Sequence, residues 1–187
     1  MKNTANILDL IDKSRLQRFQ DAFAKKNRVA TVMMDVNGTP ITEPSRYCLL
    51  CRLIRSTEKG LQDCKQHGKN IAQQVLSTGK YAIKTCVRNG FADSSAPLII
   101  RGEHLASWAM GQANIQDGAT ERDICNYAKK IGLNPDELAE AFKERQHETE
   151  TMTQEQFRTI IEALLRYSKQ IMTSAEVSFR AIMRQLA

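Results

Sequence analysis

The apolar positions of this chain change rhythm twice along its length. Leu16, Phe19 and Phe23 recur at helical spacing up to about Lys26, with Gln20 and Ala22 between them, and Asp12 or Ser14 stands where an N-cap belongs. Residues 28–35 (RVATVMMD) are apolar and β-branched and predict a strand. Asn37-Gly38 marks a tight turn, and 39–42 would open a second short strand. Residues 43–65 read as irregular and hold three of the five cysteines. A helix is predicted over 69–77, stopped at Thr78-Gly79. Three further strands follow at 81–87, 96–100 and 104–111, with turns at Asn89-Gly90 and Arg101-Gly102-Glu103.

Beyond a polar linker at 112–118 the rhythm becomes helical. Thr120 can cap a helix over 121–131 that Gly132 ends, and Asn134-Pro135 can start another over 135–148. From about 154 to 186 there is neither Gly nor Pro. An apolar or small seam runs Phe157, Ile161, Leu164, Ser168, Ile171, Ala175, Phe179, Ile182, Leu186, a heptad pattern with one inserted four-residue step. Such a seam packs either on its own domain or against a second copy as a coiled coil, which would make the protein a homodimer through this helix. The expected architecture is α+β: a five-stranded antiparallel sheet with flanking helices over 1–118, and a helical extension over 119–187.

Composition narrows the function. The chain has 187 residues, 42% hydrophobic and 26% charged, ordinary values for a globular protein. No apolar run approaches the roughly 18 residues needed to span a bilayer, and MKNTANILDLIDKSR lacks the apolar core of a secretory signal, so a cytoplasmic location is expected. The net charge is +6, and the first 120 residues hold 17 Lys/Arg against 10 Asp/Glu. These cations are scattered and fit no nucleic-acid-binding signature, so no direct contact with nucleic acid is expected. Their densest stretch, Arg46 to Lys69, is interleaved with cysteines.

Cys48, Cys51, Cys64 and Cys86 form C-x2-C-x12-C-x21-C. Without a secretory signal this argues for metal rather than disulfides. Four sulfurs suit a closed tetrahedral Zn2+ site, or alternatively an iron–sulfur cluster, and the neighbouring cations would offset the thiolate charge. Two other readings stay open: Cys48 and Cys51 as a redox dithiol, and Cys86 as a small hydrophobe in an apolar strand. His67, three residues after Cys64, could replace one cysteine as a ligand. Cys125 is expected in the core. No nucleophile elbow, phosphate loop, metalloprotease helix or dinucleotide fingerprint occurs, so the chain is not expected to be an enzyme. In Ser107-Trp108-Ala109-Met110-Gly111 small residues flank large ones, so one face of that strand could wall a pocket.

Several ordered motifs then carry a resemblance: ILDLID at 7–12, MDVNGTPI at 34–41, CLLCRLIR at 48–55, GLQDC at 60–64, CVRNGF at 86–91, APLIIRG at 96–102 and MGQ at 110–112. Over about residues 7–112 the chain resembles the PocR sensory domain, a PAS-like input module of bacterial regulators, and more loosely thereafter. The resemblance implies a sensor that binds a small molecule, a small alcohol or diol being the candidate, and signals to an output domain or regulatory protein. It also implies a shared metal or redox role for the four cysteines. Strand alternation gives Met33, Tyr81, Ile83, Ile99, Trp108 and Met110 as pocket walls, with Phe91 and Asp93 at the mouth.

Overall fold

The computed structural model describes residues 7–115 and 119–185, with the side chains of 146 and of 178–185 excepted. Leu186 and the side chains of Phe179 and Ile182 therefore lie outside the described part of the seam.

Helix α1 spans Lys13–Asn27, with the Asp12 carboxylate accepting from the Ser14 and Arg15 amides at its N-terminus. Arg28, in the left-handed region at φ 55°, ends it and turns the chain into strand β1, Ala30–Asp35. Strands β2 (Lys84–Thr85), β3 (Ala92–Ile100) and β4 (Glu103–Ala113) complete an antiparallel sheet of order β1-β4-β3-β2. The sheet thus has four strands, not the five expected. The stretch at 39–42 makes only an isolated bridge, Met34 to Pro40, because proline has no N–H with which to continue a ladder. The strand expected over 81–87 shrinks to two residues, and its Tyr81 end is exposed.

The segment expected to be irregular is so only over 43–48; from Leu49 on it is helical apart from the joint at Thr57. Helix α2, Leu49–Ser56, buries Leu50 and Ile54 along one face, and helix α3 spans Glu58–Thr78. The two meet at Thr57, whose hydroxyl accepts from Gly60 N at 3.1 Å. A Cβ at Gly60 would stand 1.9 Å from the Ile54 carbonyl, so this tight joint needs glycine. Helices α4 (Glu121–Ile131) and α5 (Pro135–Glu148) follow the boundaries that the caps predict, and α6 (Gln154–Gln185) begins where the stretch without Gly or Pro was expected to turn helical. Thr120 and Asp123 form a reciprocal capping box on α4.

Alternation along β1 and β4 divides the core. Met33 pairs with Trp108 and Trp108 with Ala96, and these residues pack against Leu16 and Phe23 of α1 and Phe157, Ile161 and Leu164 of α6. Phe23 lies 5.1 Å from the Trp108 ring, whose Nε1 donates to Thr31 Oγ1 at 2.6 Å. The α6 seam is buried on the chain's own sheet and first helix through Ala175. A second core joins Leu50, Ile54 and Phe91 to Ile124, Leu138 and Phe142 of α4 and α5, with Cys48 and Cys51 among them.

Candidate functional site

Between α2, α3 and the sheet lies a cavity of about 80 Å3 whose wall carries three of the five cysteines together with His67, Arg55 and Arg88. Its sheet side is formed by Val32, Ala109 and Gly111, small or compact residues that leave the space. Cys51 enters from the first turn of α2, Cys64 and His67 from successive positions on one face of α3, and Cys86 from the turn after β2. That turn is built on Cys86 itself: its carbonyl accepts from Gly90 N at 2.8 Å, and its amide donates to Phe91 O at 2.8 Å.

Asp93 is placed by backbone geometry. Alternation along β3 puts Asp93 on the cavity side, and the register shift between Ala92 and Ser94, with its extra residue on β4, sets both Gly111 and Gln112 against it. Gln112 opposite adopts φ 58°, an uncommon conformation for a residue with a side chain, and its amide donates to Asp93 Oδ1 at 3.1 Å. A Cβ at Gly111 would sit 1.7 Å from Asp93 Oδ1, so the carboxylate occupies space that only glycine leaves free. The other oxygen, Oδ2, lies 2.9 Å from His67 Nε2. Gln112 Oε1 in turn accepts from the Cys48 amide at 2.9 Å, tying the start of α2 to β4.

The sulfurs are surrounded by donors. Asn89 Nδ2 donates to Cys51 Sγ at 3.2 Å, and Arg55 donates to Cys64. Arg88 Nε and Nη2 are buried without a hydrogen-bond partner among the described residues, and Arg88 lines the same cavity. Cys48 stands at the N-cap of α2, and Cys51 donates a hydrogen bond to its sulfur. That bond holds the Cys48 thiol below its ordinary range; donating it, and then burial, push Cys51 well above. Burial raises Cys64, and raises Cys86 to about 12.

The four expected sulfur ligands therefore divide. Cys51, Cys64 and Cys86 line the cavity, and Cys48 is not part of its wall but is bonded to Cys51. Among the described residues, the set whose ligand atoms all lie within 4.8 Å of one another is His67, Cys86 and Asp93. Nitrogen, thiolate and carboxylate together suit a borderline first-row divalent ion. Cys125 is half-buried, its thiol 3.8 Å from the Pro135 carbonyl.

The expected pocket walls scatter. Met110 lines the small cavity, and Trp108 lines a separate cleft of about 440 Å3 between α1 and α6, whose aromatic wall includes Phe19, Phe23 and Tyr167. Met33 is wholly buried in the apolar core, and Ile83 packs on its edge. Phe91 is wholly buried in the second core, and Tyr81 and Ile99 are exposed. Sequence reasoning weighed His67 only as a substitute ligand, Asp93 only as part of the mouth and Arg55 only among the cations that offset thiolate charge; Arg88, Asn89 and Gln112 it missed. One signal was available: Cys64 and His67 are three residues apart, one helical turn, so a helix at 58–78 brings both to one face.

The family model for the sensory domain found in PocR matches residues 9–176, from before α1 through most of α6, well past the stretch that carries the motif resemblance. No curated protein and no solved structure matches the chain.

Proposed function

The chain belongs to the PocR sensory-domain family, and on that premise we propose that the thiol-lined cavity between α2, α3 and the sheet is where the signal is received. The observation that supports this is the convergence of Cys51, Cys64 and Cys86, from three separate elements, on one cavity with donors aimed at sulfur. Thiols that only fill a core need no hydrogen-bond donors. Asn89 and Arg55 are the partners that metal-bound thiolates require. The occupant is a metal ion held by cavity side chains, Zn2+ in the first reading and an iron–sulfur cluster in the alternative. The organic signal is a small alcohol or diol. Eighty Å3 is the share of two to three water molecules, at roughly 30 Å3 each, which suits a molecule of a few non-hydrogen atoms.

Transmission runs through the sheet to α6, whose seam lies against the opposite face. Occupancy must favour one packing of α6 over another for a signal to pass. Pairing with a second copy, and contact with an output domain or regulatory protein, are assigned to α6 beyond Ala175, because the seam before it is already covered. Among the described residues no helix is long and apolar enough to cross a membrane.

Elemental analysis with a thiol count before and after chelation tests the metal reading. One zinc per chain and newly reactive cavity thiols after chelation are expected. Metal-free protein as isolated, with all five thiols reactive throughout, would remove the ion from the proposal.

A second reading has its own support. The C-x2-C pair opens a helix, with Cys48 at the N-cap and its sulfur receiving a hydrogen bond from Cys51, an arrangement that favours a reactive thiolate. In that reading the pair is the detector, and mild oxidant joins Cys48 to Cys51. Mass spectrometry of alkylated protein, before and after oxidant, distinguishes it.

A further inference from the structure

We propose that Cys86, His67 and Asp93 bind one divalent first-row ion as an open three-ligand site, and that an oxygen of the sensed molecule takes the fourth position. This rests on reading the cavity as a metal-dependent receptor and goes beyond it by assigning the donors and the mode of sensing. A closed four-sulfur site holds structure together, whereas three protein donors leave a position for exchange.

Four observations converge on the triad. Its ligand atoms already lie within 4.8 Å of one another, although they come from α3, the turn after β2, and β3. Asp93 faces the cavity by strand alternation, and its carboxylate is held there by the amide of the left-handed Gln112 and the vacant side of Gly111. The triad borders a cavity, so a ligand can reach an ion held there. Arg88 brings Nε–H and Nη2–H groups, buried and unpartnered among the described residues, to the same wall. A buried guanidinium without acceptors is costly, and a thiolate or an ion-bound oxygen supplies what it lacks.

The proton balance is simple. Cys86 gives up its thiol proton as the S–metal bond forms. His67 binds through one ring nitrogen and keeps its single proton on the other. Asp93 binds as carboxylate, and its hydrogen bond with His67 gives way to the ion. One proton therefore leaves the triad per ion bound. The ligand class is a small molecule with a hydroxyl or carboxylate oxygen, polarised by the ion and steadied by Arg88.

The test is Co2+ titration of chelator-treated full-length chain, followed by absorption. The expected result is one Co2+ per chain, with thiolate-to-metal intensity of a single sulfur. Ethane-1,2-diol or acetate then shifts the visible bands; the first identifies a hydroxyl ligand and the second a carboxylate. Asp93→Asn and His67→Gln each weaken Co2+ binding by about tenfold or more, on the scale seen for disrupted metal centres, and Cys48→Ser leaves it within about twofold. Intensity of four thiolates, bands indifferent to both probes, and loss of binding in Cys48→Ser would overturn the open site while leaving a metal-binding cavity in place. Failure to bind Co2+ at all would overturn both. The wild-type spectrum decides between these outcomes even if a variant does not fold.

Discussion

The two faces of the sheet use the same strands for opposite purposes. On the α1/α6 face, Met33, Ala96 and Trp108 sit in an apolar core with Phe23 and the α6 seam, and the Trp108 indole N–H is paired with Thr31. On the α2/α3 face, the neighbouring positions Val32, Ala109 and Gly111 are compact, and the space they leave is ringed by thiols, an imidazole, a carboxylate and guanidinium groups. The first face has the composition of a stabilising core, with Leu16, Met33, Trp108 and Phe157 wholly buried. The second accepts buried thiols pushed from their ordinary range, a residue at φ 58° and Arg88 Nε and Nη2 buried without a partner among the described residues. Local strain and unsatisfied groups gather where a fold must leave a ligand something to do.

The contrast can be broken most forcefully at Trp108. Trp108→Ala removes the centre of the apolar face and leaves Thr31 without its donor, and should cost about 3–5 kcal/mol by denaturant titration. It should leave metal stoichiometry unchanged under conditions where the variant is folded. Gly111→Ala strikes the other face: its Cβ would overlap Asp93 Oδ1, so a loss of about 1–3 kcal/mol is expected. Here metal affinity should fall together with stability, and isothermal titration would check it; unchanged affinity would mean that Asp93 is not a ligand.

A gentler effect separates the faces by pH. The Cys86 thiol is raised to about 12 by burial, above an unfolded value near ~8.5. Its stabilising contribution is therefore complete below the unfolded value and is lost as pH climbs toward the folded one. The melting temperature of metal-free protein should fall over that alkaline window, and Cys86→Ser should flatten the decline, since a hydroxyl does not ionise there. The smallest change is at the capping box of α4. Thr120→Ala should cost about 1 kcal/mol in thermal unfolding and leave both the cavity and its affinity for metal unaltered.

Much of the scaffold was legible because local rules govern it. The Asp12, Thr120 and Asn134 caps, the Gly79 and Gly132 stops and the long helix from 154 follow from residue type and short-range spacing, and they stand where the pattern predicts. The strands at 28–35, 96–100 and 104–111 were found, with ends displaced by a few residues. The five-stranded count failed at 39–42, where β-propensity outweighed the missing N–H of Pro40. Residues 49–65 were read as irregular, although Leu49, Leu50, Leu53 and Ile54 carry the spacing of a helix face.

The sequence by itself determined α1, the three C-terminal helices, the family and the cysteine spacing, all of which are matters of residue identity and local order. Which cysteines share a wall, that His67 and Asp93 join Cys86, and that Trp108 faces away from them were decided only by tertiary structure. The physical reason is that a strand gives each residue one of two faces, but what lies opposite each face depends on segments far away in the chain. Here the turn after β2, a shifted register in β3 and the joint at Thr57 set those distances, and none of them has a periodic signature.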